Sequence, residues 1–111
     1  MGIEWLMSPY EIYIIHMVWG SGGKIRPVLA FIVGEITVDI YPITTQYENK
    51  SGKIKALYFK INDWMHAGLD RVSYVDTGTL ITLPIDSLKG KTPVGRLTDA
   101  DKQRLFEFLG Q

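Results

Sequence analysis

Two short segments carry the side chains best suited to chemistry: Lys24-Ile25-Arg26-Pro27-Val28-Leu29 and Tyr41-Pro42-Ile43-Thr44-Thr45-Gln46. Each sets polar, phosphate-competent groups at the end of an otherwise apolar run. Arg26 stands where a glycine-rich stretch, Trp19-Gly20-Ser21-Gly22-Gly23, enters a strand, and Thr44 and Gln46 stand where the next strand leaves the sheet. A guanidinium matches phosphate geometry through paired hydrogen bonds and stays charged at any physiological pH. A hydroxyl and an amide at the same mouth can orient a ribose or a phosphate. The chemistry this points to is on a nucleic-acid backbone.

Each of these residues also has a plainer reading. Pro27 favours extended backbone at Arg26, and an arginine so placed can serve as a surface partner of Asp76 or Glu11. Thr44 can be a β-forming residue whose hydroxyl satisfies a turn, and an exposed Gln46 is commonly just solvated. Trp19, Tyr47 and Trp64 can stack on unpaired bases, with Trp64 equally suited to a core. His16 has the near-neutral pKa of a general base, but its setting in Ile14-Ile15-His16-Met17-Val18 predicts a core or barrel-lining side chain. His66, beside Trp64, is expected on the surface. Two histidines at unrelated spacings and no carboxylate cluster argue against a catalytic metal.

The elements that must position these groups belong to a chain of 111 residues, a length that predicts one domain over 1–111. Apolar residues make up 46% and charged residues 22%, as in ordinary globular proteins. With no cysteine, disulfides and thiolate metal sites are excluded, which fits a reducing cytoplasm. The longest apolar run, Ile12 to Trp19, is too short to span a bilayer, and Met1 to Pro9 lacks the basic flank and cleavage site of a signal peptide. Twelve basic and twelve acidic side chains balance. That balance speaks against strong non-specific nucleic-acid binding but leaves room for a local groove. Lys50, Lys53, Lys55 and Lys60 cluster against Glu48 alone and are either the border of such a groove or a solvated face.

Tyr10 to Val18 is apolar on both faces and predicts a strand buried on two sides. The stretch Trp19 to Lys24 is expected to be a mobile loop able to approach a ligand. Pro27 to Val33 predicts a second strand. After the turn Gly34-Glu35, Ile36, Val38 and Ile40 alternate with Thr37, Asp39 and Tyr41 in a third, with one wet face. Tyr47 to Lys53 reads as an exposed loop, Ile54 to Ile61 as a strand, and Asn62 to Gly68 as a short capped helix. Arg71 to Asp76 and Leu80 to Ile85 predict a hairpin around Thr77-Gly78-Thr79. Lys89 to Pro93 is a polar connector. Thr98, Asp101 and Gly110 frame a terminal helix whose apolar stripe is Leu105, Phe108 and Leu109. Many short strands and one terminal helix predict a mainly β protein with a strongly bent sheet or small barrel.

Taken in order, Gly23-Lys24-Ile25-Arg26-Pro27-Val28-Leu29, Pro42-Ile43-Thr44-Thr45-Gln46 and Val94-Gly95-Arg96-Leu97-Thr98 before the terminal helix resemble the MazF/PemK family of toxin endoribonucleases. The resemblance runs from Glu11 to Leu109. It implies the SH3-like small barrel of the MazF, PemK and CcdB toxins. Arg26 matches the family's catalytic arginine and Thr44 its active-site threonine. Lys24, Trp19, Gln46, Thr45, Tyr47 and Asp76 are the substrate-side candidates, Thr45 also having a structural reading and Asp76 a turn role before Thr77-Gly78. The implied activity is metal-independent cleavage of single-stranded RNA such as mRNA, without a cofactor, by a cytoplasmic homodimer that a cognate antitoxin neutralises. Attack by the substrate's 2′-hydroxyl would leave a 2′,3′-cyclic phosphate and a free 5′-hydroxyl. Two departures stand out: Gly20 to Gly23 holds no histidine where some members have one, and Tyr74 replaces an arginine that some place two residues before the acidic position matched by Asp76. The alternatives are a CcdB-like, non-enzymatic gyrase poison, which would act through its last helix, or an inactive SH3-like binding module.

Overall fold

The computed structural model describes residues 7–110. Its first strands, β1 (Glu11–Trp19) and β2 (Gly22–Val33), pair antiparallel from Ile12↔Leu29 to Trp19↔Gly22. The expected mobile loop is therefore a two-residue hairpin turn, Gly20-Ser21, with ladder pairing carried through the remaining glycines. Gly20 takes φ +48°, the left-handed conformation favoured at the first central position of such hairpins. Strand β3 (Thr37–Thr44) joins β2 from Val28↔Pro42 onward, with a bulge between Ala30 and Ile32. Among the described residues no third strand pairs with the far half of the β1–β2 hairpin, which forms an arm. Arg26 stands at the root of that arm.

The remaining elements are a single helical turn, α1 (Gly52–Lys55), strands β4 (Tyr58–Lys60), β5 (Tyr74–Asp76), β6 (Ile81–Pro84) and β7 (Gly95–Arg96), and the terminal helix α2 (Asp99–Leu109). The sheet runs β4-β5-β3-β2-β1-β7, and β6 also pairs with β3. Every pairing is antiparallel. Alternation of side chains gives the sheet two apolar faces. On one face Ile12, Leu29, Ile43, Phe59 and Val75, drawn from β1 through β4, pack with Leu105 of α2. Contact of one helix with strands from β1 through β4 requires the sheet to curl, so the predicted small barrel is realised as an open half-barrel with a C-terminal helix. On the opposite face Tyr13, Ile15, Val28, Ala30, Val38 and Ile40 form a second cluster. Strand β6 extends this face beside β3, with Leu83 paired to Val38 and Ile81 to Ile40, and the 3₁₀ turn Ile85–Ser87 follows it, so that Ile81, Leu83 and Ile85 pack against the cluster.

Several local expectations give way. Ile54 to Ile61 is not one strand: Ser51 caps α1 by accepting from the Ile54 N–H, and only Tyr58–Lys60 is extended. Asn62 to Gly68 forms consecutive turns in place of a capped helix. Asn62 does not act as a side-chain cap there, and its backbone N–H is spent on Asp101 at 3.3 Å. The predicted hairpin around Thr77-Gly78-Thr79 does not form either, since β5 pairs with β3 and β4 while β6 pairs with β3 elsewhere. In β3, Tyr41 was expected on a wet face but is buried, because α2 closes over that side. Ile14 and Val18 of β1 are exposed, lying on the arm.

The terminal helix forms as read. Thr98 caps it by accepting from the Asp101 N–H at 3.3 Å. Asp101 does not return to the cap: it is buried and accepts from the N–H groups of Asn62 and Asp63 and from Arg104 Nη1 at 2.6 Å. The helix is thus latched to the 62–68 turns by a carboxylate.

Candidate active site

Val28 and Ala30 of β2 and Val38 and Ile40 of β3 face the second cluster, and β6 extends that face only beside Val38 and Ile40. Past that stretch, polar residues take over the same alternation. The β2–β3 register places Val28 opposite Pro42. Continued by two residues, it sets Arg26 across from Thr44. Eighteen residues apart in the chain, the two become neighbours because one antiparallel ladder runs out just before them. Lys24, Ile25, Arg26 and Pro27 on one side and Ile43, Thr44, Thr45 and Gln46 on the other line a cleft of about 160 Å³.

Arg26 is half-buried, and its Nε is a buried donor with no hydrogen-bond partner among the described residues. Buried polar atoms are nearly always satisfied by protein or water, so this guanidinium keeps a donor at the cleft that a water or a ligand acceptor can take. Neither carboxylate considered as its partner is engaged with it. Glu11 accepts from the Ser8 N–H at 2.9 Å and the Tyr13 hydroxyl at 3.0 Å. Asp76 accepts from the Gly78 N–H at 3.0 Å and the Thr79 hydroxyl at 2.9 Å, which is its turn role. Thr44 Oγ1 accepts from the Gln46 N–H at 3.0 Å. That contact orients the hydroxyl and leaves its own proton free to donate. Thr45, Gln46 and Lys24 are exposed at the rim. The Trp19 side chain lies outside the described residues.

His16 is exposed rather than in the core, because β1 has passed onto the arm at that point. Its neighbour Ile15 is the residue paired with Arg26, so strand alternation turns the imidazole to the face opposite the guanidinium. The other histidine, His66, is also exposed, with Nδ1 2.7 Å from Asp63 Oδ1. Trp64 packs against the main core. Among the described residues no three His, Cys, Asp or Glu side chains converge as a metal site.

Sequence reading passed over two tyrosines that the sheet brings to this face. Thr44 pairs with Tyr74 of β5, and Tyr74 in turn with Lys60 of β4. Tyr58 pairs with Asp76 and is near enough to Arg26 to feel its charge. Burial and then the Asp76 carboxylate raise the Tyr58 pKa, while the guanidinium lowers it. Tyr47, half-buried, stacks on Tyr74 with ring centroids 4.3 Å apart and planes 7° from parallel. The signal was the alternation Arg71 to Asp76, whose Tyr74 was noted only as the absence of an arginine.

No protein-family profile and no curated relative matches this chain. Solved structures do. The toxin MazF-mt6 of Mycobacterium tuberculosis superposes with TM-score 0.64 over 90% of this chain and 92% of its own, at 24% identity. The chain has the MazF fold. A second Mtb toxin matches with TM-score 0.58 over 87% of this chain and 96% of its own, also at 24% identity. The Arg26–Thr44 cleft lies on the face of the sheet opposite the cluster that packs with α2.

Proposed function

We propose that this chain is a member of the MazF/PemK family and a metal-independent endoribonuclease that cuts single-stranded RNA. The observation that carries the proposal is the unpartnered Arg26 guanidinium facing Thr44 across a cleft. The MazF fold supports it. In this reading the substrate's 2′-oxygen attacks the adjacent phosphorus as its proton passes to water at the open cleft. The phosphorus–O5′ bond breaks, and the departing oxygen takes up a proton. The products are a 2′,3′-cyclic phosphate and a 5′-hydroxyl.

Negative charge builds on the phosphoryl oxygens during attack. A positioned cationic donor there contributes about 10²–10³ in rate. Arg26 supplies it, with the free proton of Thr44 donated to a second oxygen. Arginine stays protonated, so it stabilises charge and is unsuited to be the base. Lys24, Gln46 and Thr45 at the rim contact the flanking phosphate and sugar. The protein acts in the cytoplasm as a homodimer, silenced by an antitoxin that covers this groove.

The test is cleavage of single-stranded RNA by purified protein in EDTA, with analysis of the product ends. We expect cyclic-phosphate and 5′-hydroxyl ends, and a loss of about 10²-fold or more for Arg26→Ala. Arg26→Lys should recover only part, for want of the planar fork. Undiminished cleavage by a folded Arg26→Ala protein would remove Arg26 from the mechanism. No cleavage by the wild type, with growth arrest still seen in cells, would favour the CcdB-like alternative.

A further inference from the structure

We infer that the RNA path continues from the Arg26–Thr44 cleft across β5 to β4, where Tyr74 receives an unpaired nucleobase and Lys60 a phosphate further along the strand. This rests on the endoribonuclease reading and specifies where the flanking nucleotide goes. The register carries the argument. Arg26, Thr44, Tyr74 and Lys60 lie in one row perpendicular to four adjacent strands and on one face. Strand spacing of about 4.8 Å makes that row roughly 14 Å long. Its order is cation, hydroxyl, aromatic ring, cation, the alternation that a sugar–phosphate backbone with one splayed base requires.

The aromatic member is built as a platform. Tyr74 and Tyr47 are stacked at 4.3 Å. Lys55 Nζ lies 5.0 Å over the Tyr47 ring, and the face of Tyr47 turned to Tyr74 has no room for it, so the ammonium caps the outer face. Tyr58 is 6.4 Å from Tyr47 and 6.5 Å from Tyr74. Being equidistant, it flanks the pair and does not lie on top. The stack can therefore grow only at Tyr74, the ring beside Thr44. A base added there extends an existing pile of rings whose ordering cost was met in folding.

The charges around the row agree. Lys60 is exposed and makes no ion pair among the described residues. Of the nearby acids, Asp76 is occupied by Gly78 and Thr79. Glu48 lies 3.9 Å from Lys55, at the capped end. Arg26 and Lys60, at the two ends of the row, are thus cations with no ion-pair partner among the described residues.

The experiment measures binding of randomised 2′-O-methyl RNA ten-mers, which lack the attacking hydroxyl, by fluorescence anisotropy over a salt series. Cleavage of unmodified RNA is followed in parallel. Loss of one stacked base corresponds to roughly 5- to 150-fold in affinity. Tyr74→Ala and Tyr74→Leu should both show that loss, and Tyr74→Phe, which keeps the ring, should bind as the wild type does. Lys60→Gln should make the slope of log K against log salt shallower by about 0.7. Should Tyr74→Ala fail to fold, Tyr74→Leu and Lys60→Gln still decide. Wild-type affinity in Tyr74→Leu with an unchanged slope in Lys60→Gln, from a wild type that binds and cleaves, overturns this path and leaves the nuclease reading intact. A wild type that neither binds nor cleaves overturns both.

Discussion

At the scale of single residues, Arg26 and Thr44 differ in how they are held. Arg26 is kept at the cleft by its β1 ladder partner Ile15 and by Pro27, with one of its donors left unpaired. Thr44 is oriented by one short contact, the Gln46 N–H at 3.0 Å. Its methyl group could be all that matters, and Thr44→Val separates the two roles by keeping shape and β-propensity while removing the hydroxyl. We expect a fall in cleavage rate of about tenfold or more, the worth of one hydrogen bond to a charged group, with the melting temperature nearly unchanged. Single-turnover cleavage and a thermal melt check both halves. Normal cleavage by Thr44→Val together with impaired cleavage by Thr45→Val would transfer the role to the second threonine. Arg26 and Thr44 stand out in the chain because each ends an apolar run and each matches a position of the MazF/PemK pattern. Tyr74 does not, since nothing local distinguishes a stacked tyrosine from any β-forming one.

At the scale of elements, the least expected feature is what the terminal helix does with Asp101. Its third helical position suggested a capping box, in which the carboxylate would reach back to the cap. Instead the carboxylate crosses to the backbone N–H groups of Asn62 and Asp63 and to Arg104. Those N–H groups open the run of turns from Asn62 to Gly68, and as at the start of a helix no carbonyl of that run precedes them to accept. Asp101→Ala would strand two backbone donors and release a guanidinium, at a cost of about 3 kcal/mol. For a chain of this size that corresponds to a melting temperature lower by roughly 10–15 °C. Asp101→Asn, which keeps an acceptor, should fall between. Differential scanning fluorimetry would show it, and a loss under about 0.5 kcal/mol in Asp101→Ala would mean that water replaces the carboxylate. The Arg26–Thr44 cleft lies on the opposite face of the sheet, so cleavage per folded molecule should persist, any change entering through Lys60, whose carbonyl accepts from Arg104 at 3.3 Å.

At the scale of the whole molecule, the two apolar faces of one sheet separate stability from function. The face closed by α2 is apolar from β1 to β4. The other is apolar only as far as β6 reaches and polar beyond. Tyr13 belongs to the apolar part: it is buried, and its hydroxyl donates to Glu11. Burial, then that hydrogen bond and the carboxylate's charge, push its pKa well above the usual tyrosine value. A raised folded-state pKa means that the neutral phenol is the stabilised form. Its contribution is complete below the unfolded value of about 10 and is lost as pH climbs above it. Urea unfolding should therefore give flat stability up to about pH 9 and a fall above pH 10. Tyr13→Phe, less stable at neutral pH for want of the Glu11 bond, should show a smaller alkaline fall. An identical alkaline slope in both would assign it to other tyrosines.

What the chain determines by itself are the properties carried by nearest neighbours. The strands at Pro27 to Val33 and around Ile40, the capped terminal helix, the absence of disulfides and the two polar segments all follow from local pattern, because propensity, alternation and capping act within a few residues. The tertiary structure decided what depends on pairing. Ladder register turned the glycine-rich stretch into a hairpin turn, and it drew β5 to β3 and β4 in place of a partner across Thr77-Gly78-Thr79. The same register set Arg26 opposite Thr44 and put Tyr74 in their row. A one-residue slip along any of these strands would turn the row to the other face, which is why no local reading of the sequence could assemble it.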